Sequence, residues 1–117
     1  MTFHKTFAPP GTRWIMSRRD LPAARDLARY EWMDGDKARH AVLSKRNRQV
    51  LDALRQGPVY CASPVRLSDK VLILKRDYGL DIETIRIDGD EEGRFGVYRL
   101  VSAVRLVRDA TKKAEAA

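Results

Sequence analysis

The chain has 117 residues, a formal net charge of +7, and 44% apolar and 33% charged residues. That length suits one domain with a modest core, the apolar share is ordinary for a globular protein, and the basic balance favours anionic partners such as nucleic acid or a membrane surface. The one cysteine, Cys61, excludes an intramolecular disulfide and fits a reducing cytoplasm, and no apolar run is long enough to span a bilayer.

Residues 1–55 carry 12 Lys/Arg against 6 Asp/Glu, whereas residues 56–117 carry 11 against 10, so the N-terminal half is the electropositive one. Residues 1–13 contain Pro9-Pro10-Gly11, which opposes helix and strand alike, and read as an extended arm without the apolar core of a secretory signal. Asp20-Leu21-Pro22 has the composition of a helix start. Leu21, Ala24, Leu27, Ala28, Glu31 and Trp32 then follow helical spacing and predict a helix ending near Asp34-Gly35. Residues 36–43 are compatible with a short helix or a loop.

Ser44 is placed to cap the next helix, where its hydroxyl can accept from a free backbone N–H. Val50, Leu51 and Leu54 form that helix's buried stripe, and Gly57-Pro58 stops it. Val59-Tyr60-Cys61 reads as a short strand, and residues 63–67 suit a turn or two of helix. Ser68 caps a third helix, ended by Gly79, with Leu67, Val71, Leu74 and Tyr78 on its core face and Asp69, Leu72, Ile73 and Arg76 opposite. Residues 81–87 and 93–100 alternate as strands around an Asp88-Gly89 turn. Residues 101–107 pack back as a strand extension or a short helix. The expected organisation is an arm and helix (1–43), a main domain (44–108) and a flexible tail (109–117).

The order helix, short strand, short helix, helix, hairpin resembles the winged helix-turn-helix superfamily. The runs Gly57-Pro58-Val59, Ser63-Pro64-Val65-Arg66-Leu67-Ser68-Asp69, Leu74 to Thr84 and Tyr98-Arg99-Leu100 look like small winged-helix proteins of bacterial phages and mobile elements. The resemblance covers about half the chain. It implies an α+β fold, with a three-helix core plus a β-hairpin wing and here an N-terminal helical extension. It also implies duplex DNA binding through the third helix and the hairpin, in a transcriptional regulator or accessory factor.

Candidate nucleic-acid contacts are Lys45, Arg46 and Arg48 in a first helical turn, where free N–H groups also favour anions, together with Arg66, Ser68, Lys70, Ile73, Arg76 and Arg94. The arginines at 13, 18, 19, 25 and 29, with Lys37, Arg39 and His40, extend the positive half. Trp14 and Trp32 either stack on bases or pack in a core, with Trp32 assigned to the core. An alternative class is a protein-interaction module, or a homodimer. There the outward Leu72 and Ile73 dock on protein, and an acidic hairpin carrying Asp90, Glu91 and Glu92 mimics phosphates.

Catalysis and metal binding find no support in the sequence. Asp88 to Gly93 resembles the opening of a calcium loop, but Arg99 stands where a bidentate glutamate is needed. His4, His40 and Cys61 have no metal-ligand spacing, and His40 near Ser44 lacks a third group. No cofactor is implied, and the protein is expected to be cytoplasmic and not an enzyme.

Overall fold

The computed structural model describes residues 11–15, 17–60, 67–86 and 96–109. A 3-10 turn at Arg18–Asp20 leads by an irregular segment into strand β1 (Ala28–Asp34) and strand β2 (Lys37–Leu43). Helix α1 (Lys45–Gln56), strand β3 (Val59–Tyr60), helix α2 (Leu67–Arg76) and strands β4 (Ile82–Arg86), β5 (Gly96–Leu100) and β6 (Arg105–Asp109) follow. The strands form two three-stranded antiparallel sheets, ordered β2-β1-β6 and β3-β5-β4.

This corrects the expected fold. The described residues contain two α-helices and more sheet than helix, so a winged helix-turn-helix with a three-helix core is not what they form. The stretch expected as a helix from Leu21 to Asp34 is irregular as far as Leu27 and then forms β1, half of a hairpin. Ala28, Tyr30 and Trp32 alternate inward, opposite Leu43, Ala41 and Arg39 of β2. Period-two burial of Tyr30 and Trp32, aromatics that favour strands, overrides the helical spacing of Leu21, Ala24, Leu27 and Ala28. The turn Gly35-Asp36 needs a positive φ only at Gly35 (62°), the pattern of a two-residue hairpin loop with glycine first. Residues 63–66 and the Asp88-Gly89 turn lie outside the described residues, as does the tail from 110 onward.

Both remaining helices cover the stretches the sequence assigns to them, but α2 starts at Leu67, so Ser68 lies within its first turn and is not its cap. Ser44 occupies the cap of α1 in extended conformation, but its hydroxyl makes no capping hydrogen bond. Gly79 (φ 74°) closes α2 with a left-handed turn, its N–H donating to the Lys75 carbonyl at 3.2 Å. A Cβ there would meet the Arg39 guanidinium at 2.7 Å, so the position admits no larger residue without moving that side chain. Of the expected 101–107 segment, residues 101–104 are irregular and the strand begins at Arg105, where β6 crosses to the first sheet and pairs with β1.

One core joins the elements: Tyr30 and Trp32 from β1, Val50, Leu51 and Leu54 from α1, Leu67, Val71 and Leu74 from α2, and Val59 and Ile82 from the second sheet. Leu72 and Ile73 point away from it, Leu72 being 47% exposed. Among the described residues no helix is long and apolar enough to cross a membrane. Leu74→Ala is expected to destabilise by about 2–5 kcal/mol through lost burial and a residual cavity. Leu72→Ala should stay within about 0.5 kcal/mol of the parent. Urea midpoints of the two variants check the phase of α2.

Candidate nucleic-acid interface

Of the three basic residues in the first turn of α1, the structure separates one from the others. Lys45 is exposed, and Arg46 is half-buried with its Nε donating to Gln49 Oε1 at 3.2 Å. Arg48 is 2% exposed and cannot reach a phosphate. Its Nε donates to Asp52 Oδ2 (3.2 Å), its Nη1 to the Asp26 carbonyl (2.7 Å) and to Asp109 Oδ1 (3.2 Å), and its Nη2 to Asp109 Oδ2 (2.7 Å). A guanidinium needs such a set of partners to be removed from water, and the fork on Asp109 supplies the strongest geometry. Burial acts to lower the Arg48 pKa, but the hydrogen bonds to Asp109 and Asp52 outweigh it and hold the group above its ordinary value. Arg48 is therefore an internal counter-ion.

Asp52 extends the network to β1. The Tyr30 hydroxyl donates to its Oδ1 at 2.5 Å, and Arg55 donates to the same oxygen at 3.4 Å while its guanidinium lies 5.5 Å from the Tyr30 ring centroid. Burial first, then the bond to Asp52 and that carboxylate's charge, push the Tyr30 phenol well above its usual 10.0.

The reach of Asp109 depends on a bulge. β6 pairs with β1 as Arg105↔Glu31 and Leu106↔Tyr30, then slips, so that Arg108↔Arg29 and Asp109↔Ala28 follow with Val107 as the extra residue. Without the slip, strict alternation puts Asp109 on the outer face. The bulge turns it inward to Arg48 and leaves Val107 and Arg108 both exposed.

The outer face of the β2-β1-β6 sheet follows from this register. One cross-strand row is Val42, Arg29, Arg108, and the next is His40, Glu31, Arg105. Arg105 Nη2 bonds Glu31 Oε1 at 3.0 Å, which neutralises that acid. Arg29 and Arg108 stand directly opposite one another, both exposed, and neither has a carboxylate partner among the described residues. At the same end of the sheet the Lys45 N–H donates to the Arg25 carbonyl at 2.7 Å, bringing two more exposed basic residues together. Lys45 adopts φ 54°, a left-handed conformation uncommon for a lysine.

The other sequence-predicted positions divide by element. Ser68 and Arg76 are exposed on α2, and Lys70 and Ile73 are half-buried there. Arg66, Arg94, Asp90, Glu91 and Glu92 lie outside the described residues. Sequence reasoning missed Arg108, since the bulge that exposes it leaves no mark in the hydrophobic pattern. It noted Arg25 and Arg29 but placed them on a helix. Trp32 is core, as expected, at 4% exposure. Comparisons with protein-family models, with characterised proteins and with solved structures give no match.

Two outcomes test the internal network. Arg48→Met, which strands Asp52 and Asp109, is expected to cost about 3–5 kcal/mol in chemical denaturation, against roughly 0.5 kcal/mol or less for Lys45→Ala. The Tyr30 phenol has a raised folded pKa, so its stabilisation is complete below the unfolded value of 10.0 and is lost as pH rises beyond it. Alkaline titration followed by tyrosinate absorbance should find one tyrosine that ionises only as circular dichroism reports unfolding. In Tyr30→Phe that late step should vanish.

Proposed function

We propose that this chain is a small duplex-DNA-binding protein, an accessory or regulatory factor that grips the phosphate backbone with the outer face of the β2-β1-β6 sheet. The observation that carries this reading is the Arg29–Arg108 pair. Like charges directly opposite across an antiparallel pair cost up to about 1 kcal/mol in the free protein. A phosphate between two guanidinium forks reverses the sign of that interaction. Exposed Lys45 and Arg25 at the same end of the sheet enlarge the basic footprint, to which the electropositive N-terminal half of the sequence contributes every member but Arg108.

The face carries no exposed aromatic ring. Tyr30 and Trp32 point inward, leaving Met33, Ala38 and Val42 between the charges. A surface without stacking platforms suits the backbone of a duplex better than the bases of a single strand. A cytoplasmic location fits both this ligand and the lone Cys61.

Salt-dependent binding to a blunt generic duplex is the test. Arg29→Gln and Arg108→Gln are each expected to lower the log–log salt slope by roughly 0.9. Each should also leave the free protein as stable as the parent, or more so, because the like-charge contact is gone. Wild-type protein that ignores duplex at low salt would sink the reading.

A second reading rests on Leu72, whose exposure on α2 beside the half-buried Ile73 suits a protein contact or self-association. Leu72→Glu would then abolish association seen by sedimentation while leaving duplex binding intact.

A further inference from the structure

The described residues include a polar cleft at the opposite end of α1 from Lys45, and no motif in the sequence marks it. It has a volume of about 440 Å³ and is lined by Arg13, Trp14, Arg19, Asp20, Pro22 and Gln56. That size is in the range of small-ligand sites, which lie at roughly 300–1,000 Å³. Buried Ile15 and Leu21 also line it and join it to the core.

Two backbone hydrogen bonds fix the cleft's aromatic wall. The Arg13 N–H donates to the Pro58 carbonyl at 2.8 Å, and the Tyr60 N–H donates to the Arg13 carbonyl at 3.0 Å, so residues 13–14 run beside β3 as a short parallel bridge. Trp14 then lies on Tyr60, ring centroids 4.1 Å apart and planes tilted by 35°. Trp14 stays 55% exposed, so Tyr60 backs the indole while much of the ring is open to a ligand. An indole held against a second ring on a hydrogen-bonded scaffold loses little freedom on binding, which is what a stacking platform requires.

Charge selects what stacks there. Arg13 and Arg19 line the same cleft, and neither guanidinium has a carboxylate partner among the described residues. The one acid, Asp20, accepts the Ser17 N–H at 3.1 Å within its own turn. The exposed amide of Gln56 offers both donors and an acceptor at the margin. A planar ring surface, two guanidinium groups and an amide are the complement of a base joined to a phosphate.

We infer that this cleft binds a nucleotide, with the base on Trp14 and the phosphate held by Arg13 and Arg19. The nucleotide is either free or the unpaired residue at the end of a DNA strand, and both present the same chemistry. The site uses residues separate from the Arg29–Arg108 face, so the two readings stand or fall apart.

The experiment is a tryptophan-fluorescence titration of the full chain with deoxyadenosine monophosphate, with a blunt duplex, and with the same duplex carrying a single-stranded overhang. Trp32 is buried, so quenching is expected to come from Trp14 and to disappear in Trp14→Phe, which keeps a ring but removes the fluorophore. Anisotropy of labelled overhang duplex should show Trp14→Leu weakening affinity roughly tenfold or more. Arg19→Gln, at an exposed position that does not threaten folding, should weaken it and lower the salt slope by roughly 0.7. Quenching by the mononucleotide assigns the free ligand, and quenching by the overhang alone assigns the strand end. Quenching by neither, or an overhang affinity unchanged in both Trp14→Leu and Arg19→Gln, overturns the inference even if blunt duplex binds.

Discussion

The guanidinium of Arg48 sets the terms for the rest of this fold. It sits at 2% exposure, bonds Asp52 one turn along its own helix, and joins α1 to two places distant in the chain, the Asp26 carbonyl before β1 and Asp109 at the end of β6. Tyr30 closes the circuit from β1 through Asp52. A buried ion pair adds little stability relative to an apolar core of the same volume, but it is intolerant of partial satisfaction. Arg48 therefore acts chiefly as a constraint on arrangement. An alternative packing of β6 that loses Asp109 strands a cation in the core, so the sheet order β2-β1-β6 is enforced electrostatically as well as by hydrogen bonding.

The bulge at Val107 is the mechanical consequence of that constraint. Asp109 must face inward while Leu106, three residues earlier, also faces inward against Tyr30. Strict alternation cannot satisfy both, because residues an odd number apart point to opposite faces. An extra residue resolves the parity, and in doing so it delivers Arg108 to the outer face opposite Arg29. The uncompensated arginine pair on the surface is thus coupled to the compensated arginine in the interior. Removing the internal demand for Asp109 would allow β6 to regain regular pairing, with Arg108 turned away from Arg29.

The sequence was legible wherever one period dominated. Both helices, the Gly57 and Gly79 stops, the inward Leu67, Val71 and Leu74 and the outward Leu72 follow from helical spacing and glycine chemistry alone. Residues 21–34 were misread because Ala24, Leu27 and Ala28 satisfy a helical template while Ala28, Tyr30 and Trp32 satisfy a strand template. Only the partner strand, across a two-residue Gly35-Asp36 loop, decides between them. Arg48 was misassigned for a related reason. Composition places Lys45, Arg46 and Arg48 in one basic turn, and nothing local distinguishes the one whose carboxylate lies 61 residues away. Long-range electrostatic pairing and strand parity are tertiary facts, and the candidate interface depends on both.

A basic sequence thus divides its cations by environment rather than by position. Arg48 meets carboxylates inside, Arg105 and Arg99 meet Glu31 and Glu83 on sheet surfaces, and Arg39 meets Asp34 at the hairpin end. Surface pairs of that kind contribute little to stability, but each occupies a cation that would otherwise be open to an anion. Among the described cations without a carboxylate partner are Arg29 with Arg108 on the sheet and Arg13 with Arg19 at the Trp14 cleft, alongside solvated side chains such as Lys37, Lys75 and Arg76. Net charge alone attracts polyanions without choosing where they bind. The choice comes from which arginines the fold declines to neutralise. At the two candidate sites the fold also positions them, Arg29 and Arg108 by strand pairing and Arg13 by its bridge to Val59.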